Sequence, residues 1–125
     1  MDVGAAARVE LVVTAADTAI ALGSGDVEVL ATPRLLALAE EATVRAVAPH
    51  LASGQTTVGT RVKLGHLAAT PIGRTVEAEA RLIEVDGRRL VFEVEAHAGS
   101  TVLARGRVER AVVDRQQFMD RVRNS

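Results

Sequence analysis

TPRLLALAEEATVRAVAPH (Thr32 to His50) followed by TVGTRVKLGHLAA (Thr57 to Ala69) decides the fold, because the apolar period changes between the two from helical to alternating. Thr32-Pro33 reads as a helix start. The Thr hydroxyl can accept an orphan backbone N–H as N-cap, and Pro, which lacks a donor, fits the first helical position. Good helix formers then run from Arg34 to about Val47, until Pro49 and Ser53-Gly54 stop the pattern. At about 100° per residue, Leu36, Glu40, Thr43 and Val47 share one stripe. Arg34, Glu41 and Arg45 fall nearly opposite, with Leu38 close to that charged side.

Period two takes over after the helix. In Thr57 to Ala69 the even positions Val58, Thr60, Val62, Leu64 and His66 point inward, and Arg61 and Lys63 outward. Thr70-Pro71-Ile72-Gly73 turns the chain into a strand with Val76, Ala78, Ala80 and Leu82 on one face. A phase shift at Ile83 and Val85 implies a bulge before Asp86-Gly87, a strong hairpin signal. Arg89 to Ala98 buries Leu90, Phe92, Val94 and Ala96, and Thr101 to Val113 turns Val102, Ala104, Gly106 and Val108 inward. Asp114 to Arg123 reads as a terminal helix.

Upstream, Val9, Leu11 and Val13 alternate as a first strand that Asp17 to Leu22 extends after a bend, and Gly23-Ser24-Gly25-Asp26 makes a loop. One helix covers only one face of a sheet. The expected class is therefore α+β, a hot-dog fold with one long central helix wrapped by a curved antiparallel β-sheet.

Composition narrows the function. The 125 residues suit one domain, 1–125, and 48% apolar with 25% charged residues places the chain among folded proteins. Fifteen Lys plus Arg against sixteen Asp plus Glu give a net charge of −1, so no global field attracts nucleic acid. Two Phe, with no Tyr or Trp, offer no stacking platform for bases. The absence of Cys removes disulfides, thiolate metal sites and a thiol nucleophile, and fits a reducing interior. No run approaches a membrane span, and Met1 to Arg8 lacks the pattern of a signal peptide, so a cytoplasmic location is expected. Bulk comes mostly from Ala and Val. A twin subunit would complete the burial, so a homodimer or higher oligomer is expected.

Four residues stand out. Glu40 lies on the apolar stripe, where a carboxylate loses hydration and needs a partner, either as a structural ion pair or as a proton carrier. His66 shares the inward parity of the next strand, as a satisfied structural imidazole or as a donor to a carbonyl oxygen. Thr32 reads as an N-cap or as a hydroxyl that orients water or attacks an acyl group. Gly59 interrupts its strand at a solvent parity, which marks a bulge or a close approach by another backbone or a ligand. His50 sits at the helix end and His97 on an exposed parity, without metal-ligand spacing. Arg88, Arg89, Arg105, Arg107 and Arg110 read as solvated strand faces or as phosphate holders. No phosphate loop, dinucleotide fingerprint, nucleophile elbow or zinc pattern appears, so no cofactor and no metal are expected.

The segment Ala31-Thr32-Pro33 through Glu40, with Val58-Gly59-Thr60-Arg61-Val62 and Gly65-His66-Leu67-Ala68-Ala69-Thr70-Pro71-Ile72-Gly73, resembles the fluoroacetyl-CoA-thioesterase-like family of hot-dog proteins. The resemblance implies a catalytic set of Thr32, Glu40 and His66. It also implies a Gly59 backbone that positions the thioester carbonyl, and a site at a two-subunit interface. The expected activity is hydrolysis of a short acyl thioester carried by CoA or a carrier protein. Alternatives are a non-catalytic acyl-CoA-binding hot-dog protein and a hydroxyacyl-thioester dehydratase. Fluoroacetyl-specific members have bulky aromatics near the first loop. Gly23 to Asp26 stands there in this chain with no Phe nearby, which points to a broader or different acyl group.

Overall fold

The computed structural model describes residues 1–125. Strands β1 (Ala6–Val12), β2 (Gln55–His66), β3 (Thr75–Asp86), β4 (Arg89–Ala98) and β5 (Thr101–Asp114) form one antiparallel sheet in the order β1-β3-β4-β5-β2. A short helix α1 (Ala19–Leu22) precedes the long α2 (Thr32–Val47), and α3 (Arg115–Arg123) closes the chain with Asp114 as its N-cap. This is the α+β layout of a hot-dog fold. No helix is long and apolar enough to cross a membrane.

The core forms where α2 meets the inward residues of β3 and β4. Leu35, Leu38, Ala39, Ala42, Ala46 and Val47 pack in one cluster with Val76, Ala78, Ala80, Leu82, Leu90, Phe92, Val94 and Ala96. Leu35, Leu82 and Phe92 are fully enclosed, each contributing about 2 kcal/mol from the area taken out of water. The alternation expected for β3 and β4 is present, and the register shift between Leu82 and Glu84 matches the expected bulge. Gly87 adopts φ +60° in the hairpin, a conformation that costs a Cβ-bearing residue.

Several local readings need correction. Asp17 to Leu22 does not extend the first strand: Ala15–Asp17 is a 3-10 turn and Ala19–Leu22 a helical turn, capped by the Thr18 hydroxyl. The buried face of α2 is rotated from the expected stripe, with Leu38 fully buried and Leu36 and Glu40 at its margin. Alanines at 39, 42 and 46 supply the centre of that face, and Ala gives little contrast in an apolar pattern. In β2 a register shift between Gly59 and Arg61 breaks the parity. Thr57, not Val58, is therefore buried, and Thr60 is exposed, while Val62, Leu64 and His66 keep their inward phase. A second shift between Ala96 and His97 buries Leu103 in place of Val102.

Both ends of the sheet are open. β2 pairs only with β5, and β1 only with β3, so each carries one row of unpaired peptide groups.

Candidate active site

Thr32 is not the N-cap. Ala31 holds that position in an extended conformation, so Thr32 becomes the first helical residue with Pro33 next to it. Its hydroxyl is thereby released from the helix and lies 2.7 Å from Nδ1 of His66. His66 ends β2 in register with Ala104, on the phase that turns toward the helix. Its other ring nitrogen, Nε2, is enclosed and makes no hydrogen bond. Burying such an atom unpaired costs about 1–3 kcal/mol, and the Thr70 hydroxyl is enclosed without a partner as well.

Glu40 sits two helical turns further on. Its side chain is 32% exposed and meets Arg110, whose side chain is 8% exposed, with Nη1 donating to Oε2 at 3.1 Å. The guanidinium is fixed from the other side by Thr57: Nε donates to Oγ1 at 2.9 Å and Nη2 to the carbonyl oxygen at 3.1 Å. Burial pulls Arg110 below the ordinary guanidinium value, and the Glu40 charge works against that pull. Arg110 remains a cation at any working pH. Gly59 faces this pair. A Cβ there would stand 2.6 Å from Glu40 Oε2 and 3.4 Å from Arg110 Nη1, so the bulge expected at Gly59 is present and the group that comes close to it is a carboxylate of this chain.

Thr32 and His66 are thus joined directly, and Glu40 and Gly59 lie together, but the two pairs are separate within one chain. Glu40 lies eight positions after Thr32 in α2, about 12 Å along the helix axis. The only side-chain partner of the Glu40 carboxylate is Arg110. Arg110 and Thr57 are the residues that the sequence reading missed. A signal was available, since Arg110 continues the inward parity of Ala104, Gly106 and Val108, where a charged residue requires a partner.

The remaining candidates lie elsewhere. His50 is exposed at the end of a 3-10 turn, and His97 contacts Glu79 at 3.2 Å. Glu77, Glu79 and His97 approach one another closely enough to share an ion, but Arg8 already pairs with both carboxylates. Of the arginines considered for phosphate, Arg110 is buried, Arg89 pairs with Glu84 and Glu109, and Arg105 pairs with Glu95.

The family model for fluoroacetyl-CoA-specific thioesterase, FlK, matches residues 13–116, a span that contains both pairs. The chain belongs to the fluoroacetyl-CoA-specific thioesterase family. A curated relative, the fluoroacetyl-CoA thioesterase of Streptantibioticus cattleyicolor, is 45% identical over 96 residues, covering 77% of this chain and 69% of the relative. A solved structure of the fluoroacetyl-CoA thioesterase FlK superposes with a TM-score of 0.93 at 38% identity, covering 100% of this chain and 97% of that one. A thioesterase superfamily member from Thermus thermophilus superposes at 0.91 with 26% identity, covering 98% and 91% of the two chains. The hot-dog fold and the thioesterase family expected from the Thr32-to-Gly73 motifs are therefore both shown.

Proposed function

We propose that this family member hydrolyses a small acyl-CoA thioester at a site built from Thr32, Glu40, Gly59 and His66, with Arg110 holding the acid in place. The observation that carries the reading is the Thr32–His66 hydrogen bond, which leaves an enclosed, unpaired Nε2 at the end of the edge strand. In this reading the Thr32 hydroxyl donates to Nδ1, so the ring proton resides on Nε2. There it can donate a hydrogen bond to the oxyanion that forms on the thioester carbonyl. Glu40 either deprotonates a water that attacks the carbonyl and passes that proton to the departing thiolate, or attacks the carbonyl itself to form an anhydride that a water then hydrolyses, the expelled thiolate taking its proton from solvent. The Gly59 backbone lets the carbonyl come close to that carboxylate.

The 12 Å step along α2 calls for a second copy. β2 has a free edge. Antiparallel self-pairing centred near Val62 sets position 66 of one copy opposite position 58 of its twin. His66 then meets the Gly59 and Glu40 region of the partner subunit, and each homodimer holds two composite sites. Such pairing also covers the open edge.

The acyl group in this reading is small but not restricted to fluoroacetyl. Variants of FlK have been solved with acetyl-CoA and with fluoroacetate and CoA. In this chain residues 20–28 are exposed and contain no Phe; Phe92 is in the core and Phe118 lies on α3. Thiol release from fluoroacetyl-, acetyl- and longer acyl-CoAs tests the proposal. Turnover that falls at least 100-fold in Glu40→Gln and in His66→Ala supports it. Rates unchanged by both substitutions, or a wild-type protein that binds acyl-CoA without releasing thiol, would overturn it.

A further inference from the structure

The outer face of the sheet, opposite α2, carries a cleft of about 450 Å³ lined by Arg61, Lys63, Gly65, Arg105, Gly106, Arg107 and Glu109. No apolar side chain lines it, which excludes an acyl chain as its occupant. Its charge is one-sided. Glu109 already accepts from Arg89, and Arg105 pairs with Glu95, whereas Arg61, Lys63 and Arg107 have no ion-pair partner. Glu93, in register with Arg107 on β4, bonds neither it nor Arg81.

The register makes this arrangement costly for the empty protein. Lys63 stands directly opposite Arg107 in the β2–β5 ladder. Like charges in that relation have Cβ atoms about 5 Å apart and destabilise the sheet. Arg61 is opposite Glu109 and Arg105 is opposite Gly65, so the two arginines flank the central pair on a diagonal. The diagonal runs about 14 Å, long enough for two phosphate groups. Gly65 leaves the floor between the cations without a side chain, and Gly106, on the opposite parity, lets the β2 and β5 backbones approach closely. Gly106 in particular has no alternative, because a Cβ there would overlap the Lys63 carbonyl oxygen. The result is a concave, polar, cationic recess in a chain whose net charge is −1.

We infer that Arg61, Lys63, Arg105 and Arg107 form a binding site for a small phosphate-bearing dianion or polyanion on the outer sheet face, distinct from the thioester site. The anion neutralises the facing Lys63 and Arg107 and so stabilises the β2–β5 pair to which it binds. Arginine forks and a lysine point charge are the chemistry that recognises phosphate oxygens. Inorganic pyrophosphate and adenosine 3′,5′-bisphosphate are the two probes.

Isothermal titration of the full chain at low salt reads the binding directly and needs no turnover, so its result is independent of the hydrolase reading. Saturable binding that weakens at least tenfold in Lys63→Gln/Arg107→Gln, but not in the equally charge-reduced Arg115→Gln/Arg121→Gln on α3, supports the site. A bisphosphate preferred tenfold over pyrophosphate identifies a nucleotide as the source of the phosphate, and equal affinities identify a small inorganic anion. Thermal melts give a second readout. The Lys63→Gln/Arg107→Gln protein should melt higher than wild type without anion, and pyrophosphate should raise the wild-type melting temperature only. Absence of saturable binding by either probe, equal loss in the α3 control, or an equal thermal response in both proteins would overturn the inference.

Discussion

Removing the carboxylate of Glu40 should destabilise the fold by an amount that depends on what replaces it. Arg110 is buried and gives one hydrogen bond to Glu40 and two to Thr57. Breaking a fully buried ion pair costs about 3–5 kcal/mol because the surviving charge is left without its partner. Glu40 is about a third exposed, so water partly replaces it and the expected cost of Glu40→Ala is about 2 kcal/mol. Glu40→Gln keeps an acceptor and loses only the charge, so about 1 kcal/mol is expected. With a urea m-value of about 1.5 kcal/mol/M, the midpoints fall by about 1.3 M and 0.7 M. Removing both charges in Glu40→Ala/Arg110→Met leaves no orphaned cation. The double variant should therefore lose less than the sum of its singles, by about 1–2 kcal/mol. Urea denaturation followed by circular dichroism measures wild type, the three single variants (Glu40→Ala, Glu40→Gln and Arg110→Met) and the double variant. Strict additivity, or an Ala variant no less stable than the Gln variant, would refute the account of Arg110 as a cation that depends on Glu40.

Gly59→Ala places a methyl 2.6 Å from the Glu40 carboxylate, the mobile end of a side chain. Stability should change by less than about 1 kcal/mol while thiol release drops at least tenfold, a split that parallel melts and kinetics will show. Gly106→Ala meets backbone instead, including Leu64 Cα at 2.8 Å. It should cost about 3 kcal/mol or more, read as a collapse of the urea midpoint. At Asp17, burial alone would raise the carboxyl, but the Thr14 amide and hydroxyl and the Arg34 guanidinium outweigh it and leave the group below its ordinary value. A depressed folded-state value gives stability that is complete above the unfolded value of about 3.9 and is lost as pH falls through the lower folded one. Asp17→Asn should therefore flatten the stability profile below about pH 4, leaving the share of Glu79, which His97 and Arg8 also hold low. An unchanged acid limb would contradict this.

The parts of the fold that repeat a period over many residues were legible: β3, β4 and α2, together with the Asp86-Gly87 hairpin. Features defined by one residue were not. α1 spans only Ala19–Leu22, too short for a helical period to register. Helix start at Thr32 instead of Pro33 turns on a single φ/ψ pair, and it converts the Thr32 hydroxyl from a cap into a partner of His66. Parity in β2 failed at Gly59 because a bulge resets the count without changing composition. Phase turned His66 toward the helix and brought Glu40 only to the margin of the buried face, and the separation of Thr32 from Glu40 along α2 was not legible, since a stripe records direction and not distance. Arg110 was passed over as one more surface arginine although its parity pointed inward.

The alanines between α2 and the sheet set a tolerance on the chemistry. Ala39, Ala42 and Ala46 meet a layer that includes Ala78, Ala80 and Ala96, so the helix rides low on the strands. Enlarging any one of these methyls would jack the helix outward, and both Thr32 and Glu40 would lift away from their strand partners together. A displacement of about 1 Å is enough to slow a reaction a hundredfold. Drift in this inert layer should thus lower turnover about a hundredfold for a stability loss of only about 1–3 kcal/mol, and a screen for folding alone would underrate it.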